Sequence, residues 1–157
     1  MMNQSSPSPN PTWQTLVEFA LPSQLDSEHL ALLKVTEAVR ELRLPAAHLE
    51  RLKTAVAEAT LNAIEHGNRS RPDLPVLIRV QVSQKALRVC VTDQGSGLSA
   101  KPVTPNLADK LNGRQPLRGW GFFLIEKTMD DLRLSGDDAH HTIELFLYLE
   151  GGSHDSK

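Results

Sequence analysis

The stretch Glu58-Ala59-Thr60-Leu61-Asn62-Ala63-Ile64-Glu65-His66-Gly67-Asn68 decides how the rest of the chain is read. As a helix it extends a run from about Ala46 to His66, in which Leu49, Leu52, Val56, Ala59 and Ala63 share one narrow stripe at about 100° per residue. Glu58, Asn62 and Glu65 fall on a different face, well over a right angle away. One face is therefore committed to a sheet, while the polar trio looks elsewhere. Gly67 reads as the C-terminal cap. The spacing of Glu58 and Asn62 stacks a carboxylate and an amide one turn apart. That arrangement is either a solvated helix face or a site. In the second case the amide oxygen is a hard, neutral ligand for Mg²⁺ and the carboxylate a general base.

Working outward, Thr15 to Leu21 looks like a first strand, ended by Pro22. Ser23 is placed to cap a helix running to about Arg43, with Leu25, Leu32, Val35, Val39 and Leu42 near helical spacing. Leu44-Pro45 breaks it. After the central helix, Val76, Ile78, Val80 and Val82 alternate with polar or outward residues, and Leu87, Val89 and Val91 do the same. Ser83-Gln84-Lys85 is short enough to join these strands as a hairpin. Leu98 to Leu117 is poorly patterned and carries Pro102, Pro105, Gly113 and Pro116. Loops of that length are uncommon in compact domains unless they are functional or disordered. A helix from Gly121 to about Asp130 precedes two strands, Leu132–Leu134 and Thr142–Leu149, around the turn Gly136-Asp137-Asp138. The order β-α-α-β-β-loop-α-β-β predicts an α+β, two-layer sandwich, with helices on one face of a mostly antiparallel sheet.

The 157 residues, 39% hydrophobic and 23% charged, suit one domain with its own core. Residues 1–12, rich in Ser, Pro and Asn, read as a disordered leader, 13–150 as the domain and 151–157 as a disordered tail. The net charge of −2 argues against a general nucleic-acid binder. A single cysteine, Cys90, excludes a disulfide framework and a cysteine-built zinc site, and its alternation suggests a packing residue. No apolar run approaches the roughly 18 residues of a membrane span. The N-terminus lacks the charged and apolar regions of a signal peptide, so the expected compartment is the cytoplasm.

Two further segments carry chemistry. Asp93-Gln94-Gly95-Ser96-Gly97 ends a strand, and Asp93 keeps the inward parity of Leu87, Val89 and Val91. A buried carboxylate needs a donor; a purine's exocyclic amine is one, a turn's own backbone another. The glycines permit a tight turn and close backbone approach. Arg118-Gly119-Trp120-Gly121-Phe122 opens the helix after the long loop. Free N–H groups and the positive dipole end there favour phosphate, and Arg118 can add a charge-assisted contact. The bland alternative is a hinge with an exposed arginine. Neither GxxxxGK[ST] nor a GxGxxG after the first strand occurs.

In this order, E-x-x-x-N on a helix, D-x-G-x-G at a strand end, a long loop and G-x-G opening a helix resemble the GHKL ATPase superfamily with its Bergerat ATP-binding fold. Within it, EATLNAIEHGN (58–68), TDQGSGL (92–98) and RGWGFFLIEKTMDDL (118–132) are similar to the bacterial anti-sigma-factor serine/threonine kinases, over about residues 15–149. The resemblance implies that Asn62 ligates Mg²⁺ on the ATP phosphates and that Glu58 is the general base. It implies that Asp93 accepts from the adenine amine, with Gly95 and Gly97 shaping the pocket. Residues 99–117 become the ATP lid, and Arg118, Gly119, Trp120 and Gly121 the phosphate segment. The implied protein is an anti-sigma regulatory factor that sequesters a sigma factor and phosphorylates a STAS-domain anti-anti-sigma protein on serine or threonine. A homodimer through the sheet edge and first helix is implied as well.

A serine hydroxyl barely ionises at neutral pH, so its phosphorylation gains from a base, typically ~10²–10⁴-fold. Glu58 supplies one. A histidine kinase needs none, and neither His29 nor His48 sits in an acceptor pattern. The alternative function is a non-catalytic, nucleotide-gated protein-binding module of the same fold, since binding and catalysis share residues. His140-His141 has no cysteine or carboxylate cluster in sequence and suggests no metal site. Trp13 is expected near the leader or a dimer contact, and Phe122-Phe123-Leu124-Ile125 in the core.

Overall fold

A computed structural model of the chain describes residues 12–95 and 117–149, with only the backbone described at 117–122. Strand β1 (Gln14–Pro22) leads into helix α1 (Ser27–Val39) and a 3₁₀ turn, Arg40–Leu42; α2 (Ala46–Asn62) follows and runs on into a π-type turn, Ala63–Gly67. Then come β2 (Pro75–Val82), β3 (Ala86–Asp93), α3 (Leu117–Thr128), β4 (Asp131–Gly136) and β5 (His141–Tyr148). The five strands form one sheet in the order β1-β2-β3-β5-β4, every pairing antiparallel. This is the α+β sandwich expected from the element order. What the order of elements did not show is that β5 inserts between β3 and β4, bringing His141 opposite Asp93. A bond of 2.8 Å between the Thr92 and Thr142 hydroxyls pins that register.

The core forms where the sheet's inward parity meets the helical stripe. Val76, Ile78 and Val80 of β2, Leu87, Val89 and Val91 of β3, and Leu145 and Leu147 of β5 are buried. Against them lie Ala31, Val35 and Val39 of α1, Leu52, Val56, Ala59 and Ala63 from α2 into its π turn, and Ile125 of α3. Each fully buried aliphatic side chain contributes roughly 1.5–3 kcal/mol. Arg51 on α2 ties down the far end of α3: its Nε donates to the Thr128 carbonyl at 2.8 Å and its Nη2 to Asp130 Oδ1 at 2.9 Å. Asp130 Oδ2 accepts from the Tyr148 amide at 2.7 Å.

Among the described residues, the opposite face of the sheet carries no helix and is polar and aromatic. Trp13 packs edge-on to Phe146, with centroids 6.3 Å apart, and the Arg88 guanidinium lies 4.1 Å from its ring. Trp13, expected near the leader or a dimer contact, thus packs on this sheet face. Cys90 is buried on the same face, and burial raises its thiol pKa, fitting a packing role.

Five local expectations are corrected. Ser23 does not cap α1. Asp26, in the left-handed region at φ 80°, inserts a turn, the helix starts at Ser27, and Ser23 Oγ donates to the Leu74 carbonyl at 2.6 Å. Leu25 is 73% exposed, because it precedes that turn and lies off the core face. Gly67 is not the cap: the helix is stopped by Arg69 (φ 53°) and Ser70 (φ 57°), with the Ser70 amide donating to the Ile64 carbonyl at 2.7 Å. Helix α3 begins at Leu117, ahead of Gly121, and Leu124 is exposed while Ile125 is buried. Among the described residues no helix is long and apolar enough to cross a membrane. The leader and tail expected from sequence fall outside the described residues, except that Thr12 is described.

Candidate functional site

The site is built where α2 ends on β3. The turn 63–67 that ends α2 widens, and the Asn68 amide donates to the Ala63 carbonyl at 2.8 Å, an i→i+5 bond. Such turns occur often at functional sites. The widening brings Gly67 against the carboxylate of Asp93: a β-carbon on Gly67 would overlap that carboxyl group, and one on Gly95 would strike the Gly67 carbonyl. The Gly95 requirement therefore comes from the helix backbone, not directly from a ligand.

Asn68 locks this junction. It is fully buried, and its Nδ2 donates to Ser23 Oγ at 2.8 Å and to the Leu74 and Pro75 carbonyls at 3.1 Å. Its Oδ1 accepts from the Gln94 amide at 2.7 Å. One side chain thus joins the end of β1, the turn after α2, the start of β2 and the strand end bearing Asp93. Sequence reasoning placed Asn68 inside the motif but gave it no role. Its signal was an amide directly after Gly67, legible only once its partners are known.

Asp93 sits at the inner parity of β3, and its side chain is 14% exposed. Oδ1 accepts from the Gly95 amide at 3.0 Å and lies 3.3 Å from His141 Nδ1. Burial raises its pKa, and the Gly95 amide, His141 and His140 act in the opposite direction. Oδ1 is occupied; the described residues give Oδ2 no hydrogen bond in the site.

Glu58 is half-buried on α2, and its pKa is raised, first by desolvation and then by the nearby charge of Glu65. Both effects move a carboxylate toward the range in which it takes a proton near neutrality. Asn62, the last residue of α2, lies one turn on from Glu58 and is also half-buried. Among the described residues no group of three or more His, Cys, Asp or Glu could hold a metal ion. A magnesium carried by nucleotide phosphates needs only one or two protein oxygens, and the Asn62 amide is of the right type.

Arg118, Gly119, Trp120 and Gly121 lie in the first two turns of α3, and the backbone N–H groups up to Gly119 have no intrahelical acceptor. Only their backbone is described. Gly97 and most of the lid assigned to 99–117 lie outside the described residues. His141, given no role in sequence, is the other residue that the structure adds beside Asp93.

A family model for the histidine kinase-like ATPase domain matches residues 21–146. The chain is 30% identical over 128 residues to an anti-sigma F factor of Clostridium novyi, covering 80% of this chain and 87% of the relative. It is 27% identical over 143 residues to the serine-protein kinase RsbW of Bacillus subtilis, covering 86% of each. The fold resembles the RsbU and RsbW domains of a Mycobacterium tuberculosis protein, with a TM-score of 0.62, 16% identity and 85% of this chain covered. This chain spans 32% of that longer one. It also resembles a structure from the SiaB–SiaC complex of Pseudomonas aeruginosa, with a TM-score of 0.62, 12% identity, and coverage of 85% and 89%. With the helix-to-strand junction, the family match and the anti-sigma relatives in agreement, the chain belongs to the histidine kinase-like ATPase domain family, in the branch of the anti-sigma-factor kinases.

Proposed function

We propose that this protein is an ATP-binding anti-sigma regulatory factor that phosphorylates a STAS-domain anti-anti-sigma protein on serine or threonine and sequesters a sigma factor in the cytoplasm. The observation that supports the reading is the junction of α2 with β3, where Gly67, in the turn that continues the helix bearing Glu58 and Asn62, packs against the Asp93 carboxylate. In this reading Asp93 Oδ2 accepts from the adenine amine, and Gly95 and Gly97 shape the adenine pocket beneath the lid 99–117. Asn62 holds Mg²⁺, and Arg118 with the first amides of α3, Gly119 to Gly121, takes the phosphates. Bound Mg²⁺ neutralises charge that develops on the transferred phosphoryl group. Glu58 receives the proton from the acceptor hydroxyl as the oxygen attacks, and its raised pKa suits it to that work.

The anti-sigma F factor and the serine-protein kinase among the relatives support the two halves of this reading. For the homodimer, support comes from the exposed side of α1. Leu30 and Leu33 are 42% and 66% exposed, and with Leu16 and Val17 of the edge strand β1 they line an open groove. That groove sits at the β1 edge, two strands from β3 and Asp93.

The test is the intact mass of a co-encoded STAS-domain protein after incubation with this chain, Mg²⁺ and ATP. One added phosphate, absent with Glu58→Gln, is expected. Undiminished transfer by Glu58→Gln would remove the base assignment, and no transfer by the wild-type chain would remove the kinase.

A further inference from the structure

The imidazole of His141 does more in this fold than fill space. Its Nδ1 lies 3.3 Å from Asp93 Oδ1, and its side chain is 17% exposed. Its Nε2 is buried and finds no hydrogen-bond partner among the described residues. A buried polar atom left without a partner costs about 1–3 kcal/mol. An aliphatic side chain would fill the same space without that cost, so the useful nitrogen is the one facing Asp93. The surroundings are shaped for the ring. Gly136, its cross-strand neighbour, has φ +155°, and a β-carbon there would lie 3.2 Å from His141 Cδ2 and collide with the His140 carbonyl. The Thr92–Thr142 bond fixes the strand register that delivers His141 to Asp93.

With Nδ1 protonated, two donors, the His141 ring and the Gly95 amide, converge on the same oxygen of Asp93. We propose that His141 is a positioning residue for nucleobase selection: by occupying Oδ1 of Asp93 together with the Gly95 amide, it leaves Oδ2 as an acceptor for a 6-amino purine and sets the site against a 6-oxo purine. The inference rests on the reading of Asp93 as the purine-facing acceptor. A 6-amino group donates to Oδ2, whereas a 6-oxo group brings an acceptor against an acceptor and leaves both unpaired. A protonated carboxyl would reverse the preference, because its O–H donates to the 6-oxo oxygen. Burial of Asp93 favours that protonated form, and His141 opposes it. The charged groups that act on Asp93 are His141 of β5 and His140 of the β4–β5 turn, and both also act on Asp137 of that turn. From the helix side Asp93 meets Gly67, which carries no charge.

The experiment is equilibrium titration of the full chain with Mg·ATP and with Mg·ITP, the 6-oxo counterpart, between pH 5.5 and 8. Wild type, His141→Leu and His141→Gln are compared, each checked for folding by circular dichroism; Gln retains a side-chain donor. The wild type is expected to prefer ATP, and His141→Leu to lose about tenfold of that preference through weaker ATP binding. His141→Gln should recover part of the loss. In His141→Leu the fall in ATP preference on acidification should begin at higher pH, because the carboxylate has lost a donor. Equal losses for ATP and ITP, or no change in either, would overturn the proposal. Should His141→Leu not fold, an unchanged ATP-to-ITP ratio and pH profile when His141→Val, which also lacks a donor, is compared with wild type would overturn it. Failure of the wild type to bind either nucleotide would instead contradict the nucleotide site, and this inference with it.

Discussion

Gly67 and the carboxylate of Asp93 are packed face to face, with no space between them for a β-carbon. The contact sets where α2 stops relative to β3, and so where Asn62 stands relative to Asp93. Gly67→Ala must displace the carboxylate or the helix end. Overpacking of this kind costs about 1–3 kcal/mol, and ATP affinity should fall at least about tenfold. Denaturant unfolding and nucleotide titration of the same sample check both effects.

Asn68 makes the second prediction. Asn68→Ala leaves the Gln94 amide and the Pro75 carbonyl without their side-chain partner in a buried setting, while the Leu74 carbonyl keeps Ser23 Oγ. The expected loss is about 2–3 kcal/mol of unfolding free energy. Because Gln94 follows Asp93, hydrogen exchange at the Gln94 and Gly95 amides should also accelerate beyond the rest of β3.

These two residues mark where sequence reading stops. The stripe on α2, the inward parity of β2 and β3 and the hairpin at 83–85 are local patterns, and the structure follows them. Ser23, Asn68, Gly67 and His141 owe their roles to neighbours far away in the chain. Ser23 looked like a cap because a serine before an apolar run usually is one; its actual partner is Leu74. Gly67 looked like a cap because glycine after a helix usually is one; its actual constraint is Asp93. His141 had no neighbouring carboxylate in sequence and gained one when β5 paired with β3. Glu58, Asn62 and Asp93 were legible because motif spacing and strand parity carry their placement directly.

Asp93→Asn separates stability from binding. The Asp93 pKa is raised by burial, so the folded state holds its proton more tightly than the unfolded state does. Stability from this group is present at low pH and is lost as pH rises through its folded pKa. Asparagine removes the buried charge. Asp93→Asn should therefore be more stable than wild type at pH 7, with the difference shrinking toward acid pH, while ATP binding drops at least about tenfold because an amide N–H now faces the adenine amine. Thermal unfolding from pH 4 to 8 with parallel nucleotide titration measures both.

As the proposed base, Glu58 is expected to govern the pH dependence of transfer. A base must be ionised, and desolvation together with Glu65 raises the pKa of Glu58. The acid limb of the phosphotransfer rate should thus lie above the ordinary glutamate value of about 4.3, and Glu65→Gln should move it toward acid. Glu58→Gln should lower the rate by about 10²-fold or more while leaving ATP affinity near wild type. Single-turnover rates across pH provide the check.

All of these roles depend on the end of α2 and the end of β3 forming a single Mg·ATP site. Calorimetric titration with ATP, in the presence and absence of Mg²⁺, measures that directly on wild type, Asn62→Ala and Asp93→Asn. The expected result is one ATP per chain, tightened by Mg²⁺ in the wild type, with the Mg²⁺ effect lost in Asn62→Ala and binding weakened at least about tenfold in Asp93→Asn. Wild-type affinity in both variants, or no ATP binding by the wild type, would contradict a shared site.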